Sequence, residues 1–270
     1  MRWFSFFLFA YSFLFSIEKP VVFVSVSAYS GLVQKLVDGA IDVETLVPPG
    51  VSFHYFEPKP QLVEKLTHAK LWFTIGDPFE ERIKKSLQDL ESGPIIVDLQ
   101  KCIDVINHDP HIWTSPRLFQ KQLSVIYTQL QKVFPKIIKE TSYQALNAQI
   151  DELIRKVDSL LDNQKGLIVV AHNAYAYLCR EYSLQQLSLE EGGKEPTLAR
   201  LQSLVTTAKN HGVKTVFALT TFSRKGIERV AQLLNAQIIE LDPFSPQYIE
   251  NTLHTAQLFR KALDQERILQ

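Results

Sequence analysis

An alternation of short apolar runs with amphipathic stretches, broken once and then resumed, constrains this chain more than any other feature. Val21–Val26, Val43–Val47, Leu71–Ile75 and Ile95–Leu99 are β-branched or apolar runs of strand length. Between them, stretches such as Tyr29–Asp38 and Gln61–Ala69 carry apolar residues at helical spacing. Such alternation predicts βα units and a parallel sheet covered on both faces. From about Pro116 to Asn163 no strand is recognisable. There Leu118, Leu123, Ile126, Tyr127, Leu130 and Val133 keep a helical period up to Pro135, and Ile150, Leu153, Ile154, Val157, Leu160 and Leu161 form a second apolar stripe. The second helix would run roughly 25 residues, or about 37 Å. Strand runs then return at Leu167–Ala171, Leu184–Leu189, Thr215–Leu219 and Gln237–Leu241, with helical stretches at Ala174–Glu181, Thr197–Asn210, Ser223–Leu234 and Pro246–Leu263. The layout predicts an α/β protein of two lobes, each a roughly four-stranded parallel sheet flanked by helices, bridged by one long rigid helix. The N-terminal lobe would take residues 17–138, the linking helix 139–163 and the C-terminal lobe 164–270. A single doubly wound domain with a helical insertion is the alternative.

Composition narrows the function. Lys and Arg number 29 and Asp and Glu number 29, so the chain lacks the basic excess expected of a nucleic-acid binder. Two cysteines exclude a disulfide scaffold and any four-cysteine metal site. The first 15 residues hold eight aromatics, and Arg2 is the only charge among residues 1–17. A short basic start followed by an apolar run of this length predicts a signal peptide over residues 1–16, with a soluble periplasmic protein left after cleavage. An uncleaved N-terminal anchor is the alternative. No cysteine precedes Cys102, so lipidation at an N-terminal cysteine is not expected.

Chemistry-bearing side chains fall where strands end. His54 follows the turn Pro48-Pro49-Gly50, and His111 stands just before a helix start at Thr114 or Ser115. His172 ends the run Leu167–Ala171, and Asp242 ends Ile238–Leu241 before Pro243. In open α/β sheets ligands bind beyond the carboxyl ends of the strands. Three neutral imidazoles and one carboxylate gathered there suit a divalent transition metal and match tetrahedral Zn²⁺. Each residue also has a plain reading, as a hydrogen-bonded surface histidine or, for Asp242, a turn cap. Glu57 is a candidate partner behind a ligand, and His108 a possible further contact. His68, His211 and His254 lie on helices or their ends and are expected at the surface.

These segments resemble the metal-binding (zinc/manganese) solute-binding proteins of ABC importers, of the zinc-uptake type. His54-Tyr55-Phe56-Glu57-Pro58-Lys59-Pro60 is similar to that family's His-x-Tyr-Glu-Pro-x-Pro segment. Asp109-Pro110-His111-Ile112-Trp113, followed by Pro116, resembles its Asp-Pro-His-x-Trp-x-x-Pro segment. Ala171-His172-Asn173-Ala174-Tyr175-Ala176-Tyr177 and Glu240-Leu241-Asp242-Pro243 resemble two more, in order, over about residues 20–265. The resemblance implies a binding protein, not an enzyme. It would capture a divalent metal ion outside the inner membrane and deliver it to an ABC permease, and it is expected to be a monomer. His54, His111, His172 and Asp242 would be the ligands. A histidine at the third position leans toward Zn²⁺, since manganese-preferring members tend to offer a carboxylate there; Mn²⁺ and Fe²⁺ are the alternatives. A surface adhesin on the same fold and a secreted metal-dependent hydrolase are the competing functions.

Three departures from the family pattern stand out. Leu99–His108 is short and holds only His108, where many zinc members carry a long His/Asp-rich loop. The run Phe217–Thr221 lacks the Glu that relatives usually place near Leu219. Cys102 and Cys179 do not match the single-lobe disulfide of some relatives and are expected to be free thiols.

Overall fold

The computed structural model describes residues 19–48, 50–88, 92–190 and 197–267. The expected signal peptide, 1–16, lies outside them.

The N-terminal half runs β1 (Val21–Val24), α1 (Ser30–Val37), β2 (Asp42–Thr45), α2 (Pro60–Thr67), β3 (Leu71–Thr74), α3 (Pro78–Leu87) and β4 (Ile95–Asp98). Two long helices follow, α4 (Pro116–Val133) and α5 (Glu140–Leu161). The C-terminal half runs β5 (Leu167–His172), α6 (Ala176–Glu181), β6 (Gln185–Glu190), α7 (Leu198–Asn210), β7 (Thr215–Leu219), α8 (Lys225–Leu234), β8 (Gln237–Leu241) and α9 (Tyr248–Arg267). Each half builds a four-stranded, all-parallel sheet, in the orders β2-β1-β3-β4 and β6-β5-β7-β8. The expected α/β architecture of two parallel sheets flanked by helices is therefore present.

Central strands explain why these runs were strand-like. β3, β5 and β7 are buried along their whole length, as strands covered on both faces must be. The edge strand β2 is more polar, with Asp42, Glu44 and Thr45, and it starts and stops earlier than the expected Val43–Val47. α3 begins with a capping box: Asp77 accepts from Phe79 N at 3.0 Å while the Glu80 carboxylate receives Asp77 N at 3.2 Å.

α5 has 22 residues, about 33 Å of helix, and buries Leu146, Ile150, Leu153, Val157 and Leu161. It packs against α1 and α4 on the N-terminal side and α9 on the C-terminal side. One apolar core is continuous from Val22 to Leu263, taking in both sheets and α5. A second core, with Val169, Val216, Ile227 and Val230, fills the far face of the C-terminal sheet under α7 and α8.

The halves are also tied by polar contacts. Trp113 Nε1 donates to Pro243 O at 2.7 Å, Tyr248 OH donates to Trp113 O at 2.8 Å, and Ser27 Oγ donates to Phe244 O. Ser115 Oγ, the N-cap of α4, bonds Glu181 at the end of α6. Arg117 joins Glu181, Tyr182 and both oxygens of Asp158 on α5. At Gly31, near the start of α1, a Cβ would stand 2.1 Å from Pro246 O, so the two halves touch backbone to backbone there.

Candidate metal centre

In a sheet of order 2-1-3-4 the connections leave the central strands in opposite directions, and a crevice opens at their carboxyl ends. Both crevices face one point. His54 arrives on a short 3-10 turn, Phe53–Tyr55, after β2. His111 arrives on the loop before α4, and His172 is the last residue of β5. A ligand nitrogen from each of the three lies within 4.8 Å of the other two.

The ring orientations are set from behind. His54 Nδ1 stands 3.0 Å from Asp77 Oδ2, and His111 Nδ1 stands 2.6 Å from Asp109 Oδ1. A carboxylate at Nδ1 keeps the proton on that nitrogen, leaves the Nε2 lone pair facing forward and raises its basicity. His54 Nε2 meets His172 Nε2 at 3.0 Å, and His111 Nε2 is buried without a hydrogen-bond partner among the described residues. Two nitrogens bound to one tetrahedral Zn²⁺ at about 2.0–2.1 Å stand roughly 3.3–3.4 Å apart, so a few tenths of an ångström of spreading would seat the ion. His111 and His172 are 2% and 1% exposed. Burial first, then the neighbouring His111 and His54, push the His172 imidazole down to about 2, so it stays neutral and keeps a lone pair available.

Phe53 forms an aromatic wall, with ring centroids 4.1 Å from His54 and 5.2 Å from His111, and Trp113 stands 5.4 Å from His111. A cavity of about 360 Å³ opens onto the three histidines and is lined also by Asp77, Asp109, Asn107 and Asn173. The site is thus a largely buried cluster of nitrogen ligands reached through a polar mouth.

The other expected residues sit elsewhere. Asp242 lies outside the histidine trio: its Oδ1 accepts from Phe244 N at 2.9 Å and from Thr220 Oγ1 at 3.3 Å. His108 is exposed, with φ +60, and lines the mouth of the cavity. Glu57 is exposed and is not one of the carboxylates behind the rings. Cys102 and Cys179 are both free, and burial pushes the Cys179 thiol up to about 12. Reading of the sequence passed over Asp77. Its signal was there, an Asp-Pro with Glu80 three residues on, just past the carboxyl end of β3, the end of the sheet where the other site residues gather.

Three imidazoles clustered between the carboxyl ends of two parallel sheets form a candidate metal-ion site, in the fold of a solute-binding protein. Comparison with known proteins agrees. Residues 22–262 match the family model of the zinc-uptake complex component A, periplasmic. The chain is 28% identical over 225 residues to the high-affinity zinc uptake system protein ZnuA of Bacillus subtilis, covering 73% of this chain and 69% of that one. It is 23% identical over 234 residues to the zinc-binding protein TroA of Treponema pallidum, covering 81% and 76%. A crystal structure of ZnuA superposes with a TM-score of 0.83 at 28% identity, over 91% of this chain and 100% of that chain. The chain belongs to the periplasmic zinc-uptake complex component A family. Its relatives are solute-binding transport proteins, not enzymes, which sets the hydrolase alternative aside. No helix among the described residues is long and apolar enough to cross a membrane.

Proposed function

We propose that this protein captures Zn²⁺ in the periplasm and delivers it to an ABC permease, with His54, His111, His172 and Asp242 as the ligands. The convergence of three imidazole nitrogens, two of them backed by carboxylates, carries the reading. A nitrogen-rich donor set favours Zn²⁺ over Mn²⁺, which prefers more carboxylate. The three imidazoles bind first. Asp242 then gives up its bonds from Phe244 N and Thr220 Oγ1 and turns its carboxylate to the fourth position. Trp113 and Ser27 hold the neighbouring Pro243 and Phe244 carbonyls, so the backbone of that turn need not travel far. The protein acts as a soluble monomer once residues 1–16 are removed.

Elemental analysis of protein purified without added metal, followed by competition titration with Zn²⁺, Mn²⁺ and Fe²⁺, tests this. One Zn²⁺ per chain is expected. His172→Ala should weaken it by more than about a hundredfold, beyond the ten- to hundredfold typical for losing a partner behind a ligand. Asp242→Ala should weaken it as well. A stoichiometric preference for Mn²⁺ overturns the metal assignment. Unchanged affinity in both variants overturns the site.

A further inference from the structure

His172 is held differently from the other two imidazoles. His54 and His111 each have a carboxylate at Nδ1 within hydrogen-bond distance, whereas His172 Nδ1 has no such partner among the described residues. The nearest carboxylate oxygen recorded for it, Glu190 Oε2, is 3.9 Å away across the β5–β6 register. Yet His172 is as deeply buried as His111, at the end of a fully buried strand. Its ring lies flat against the phenyl ring of Phe222, with centroids 4.0 Å apart and planes 15° from parallel. Phe222 sits in the turn after β7, where its N–H bonds Leu219 O at 3.1 Å, and its half-buried side chain packs on the main core. It therefore approaches His172 from the far side of the crevice between β5 and β7.

We infer that Phe222 is the positioning residue of the third imidazole, doing by stacking what Asp77 and Asp109 do by hydrogen bonding for the other two. The geometry supplies the reason. Short of a half-turn, rotation about the Cβ–Cγ bond of His172 drives the edge of the imidazole into the Phe222 ring. A tilted ring carries Nε2 off the point it shares with His54 Nε2. The stack thus restricts the ring to planes in which the Nε2 lone pair serves the site. Because the same turn carries Thr220, which donates to Asp242 Oδ1, one short segment governs the aim of both ligand side chains proposed for the C-terminal half.

This inference rests on the proposed metal-binding function, and Co²⁺ separates the two. Its visible ligand-field bands report coordination geometry, independently of transport. Phe222→Leu should weaken Co²⁺ binding by about threefold to tenfold, the worth of one aromatic stack, and should shift or broaden those bands. Phe222→Tyr should restore both. In a His172→Ala background Phe222→Leu should have no further effect on affinity, whereas a general loss of structure would act in either background. Glu190→Gln, in the alternative support, should leave the bands in place. Unchanged bands and affinity in Phe222→Leu overturn the inference while leaving the metal site standing. So does an equal loss with and without His172, or a spectrum that responds to Glu190→Gln instead. A parent protein that binds no Co²⁺ or Zn²⁺ removes the function and this inference together.

Discussion

Gly31→Ala gives the sharpest test of how the two halves are joined, because local and tertiary effects predict opposite signs. Within a helix, alanine is favoured over glycine by about 0.8–1.0 kcal/mol, so α1 alone would gain. The tertiary contact says otherwise. The new methyl group would stand 2.1 Å from Pro246 O and 3.1 Å from its carbonyl carbon, both backbone atoms that cannot rotate away. Van der Waals distance is regained only if α1 and the segment at 243–246 part by roughly 1 Å. That movement stretches the 2.7 Å bond from Trp113 Nε1 to Pro243 O past useful range, and with it the bond from Ser27 to Phe244 O. Two such bonds contribute about 1 kcal/mol each. After the helix-propensity gain, the net loss is about 1 kcal/mol, which for a chain of this size lowers Tm by roughly 2–4 °C. Calorimetry of the metal-free protein at neutral pH, with chelator present, measures it. Zn²⁺ affinity should fall in parallel, since Asp242 adjoins the displaced residues. A Tm equal to or above the parent's would refute the reasoning and place the close approach among contacts that yield cheaply.

Three further outcomes follow from side chains behind the site and between the halves. Asp77→Asn and Asp109→Asn should each weaken Zn²⁺ by about ten- to hundredfold in competition titration; asparagine at 77 still caps α3, so metal-free stability should change little. Arg117→Ala should lower unfolding stability by about 1–3 kcal/mol in urea, because it leaves Asp158 and the more buried Glu181 without their shared cation. Glu266 is pushed up from an ordinary 4.5 to about 7 by burial, with the Leu167 N–H and His211 pulling the other way. The folded chain therefore holds a proton that the unfolded chain has lost between those values. The stability this contributes is present below pH 4.5 and is lost as pH rises through 7. Glu266→Gln should flatten that decline in unfolding free energies measured from pH 5 to 8.

The sequence made the sheets legible because parallel strands buried on both faces must be continuous apolar runs, as Leu167–Ala171 is. The linking helix was legible from its stripe, although it spans Glu140–Leu161 and not 139–163. α3 was implied by the alternation but given no bounds, because only Phe79, Ile83 and Leu87 form its apolar stripe, amid charged Glu80, Glu81, Arg82, Lys84 and Lys85. The three histidines were found by position, since a strand end fixes where a Cα goes. Side-chain torsion is another matter. Asp242 stands two residues before the Phe244 N–H, and such an aspartate closes an Asx-type turn on its own backbone unless a stronger partner competes. Phe222 had no sequence signal at all, because an aromatic in a turn looks like any half-buried residue until its partner across the crevice is known.

The larger apolar core, which runs from Val22 to Leu263, has a consequence for how the molecule comes apart. Two sheets and a linking helix invite the picture of two units that melt one after the other. Here the larger interior of each half is finished by residues of the other, so neither half keeps it closed when its neighbour is lost, and only the smaller core under α7 and α8 lies within one half. Heating should give one calorimetric transition whose van't Hoff and measured enthalpies agree, and a chain cut within 134–139 should not release a folded fragment. The metal site then lies on a seam that opens only when everything does.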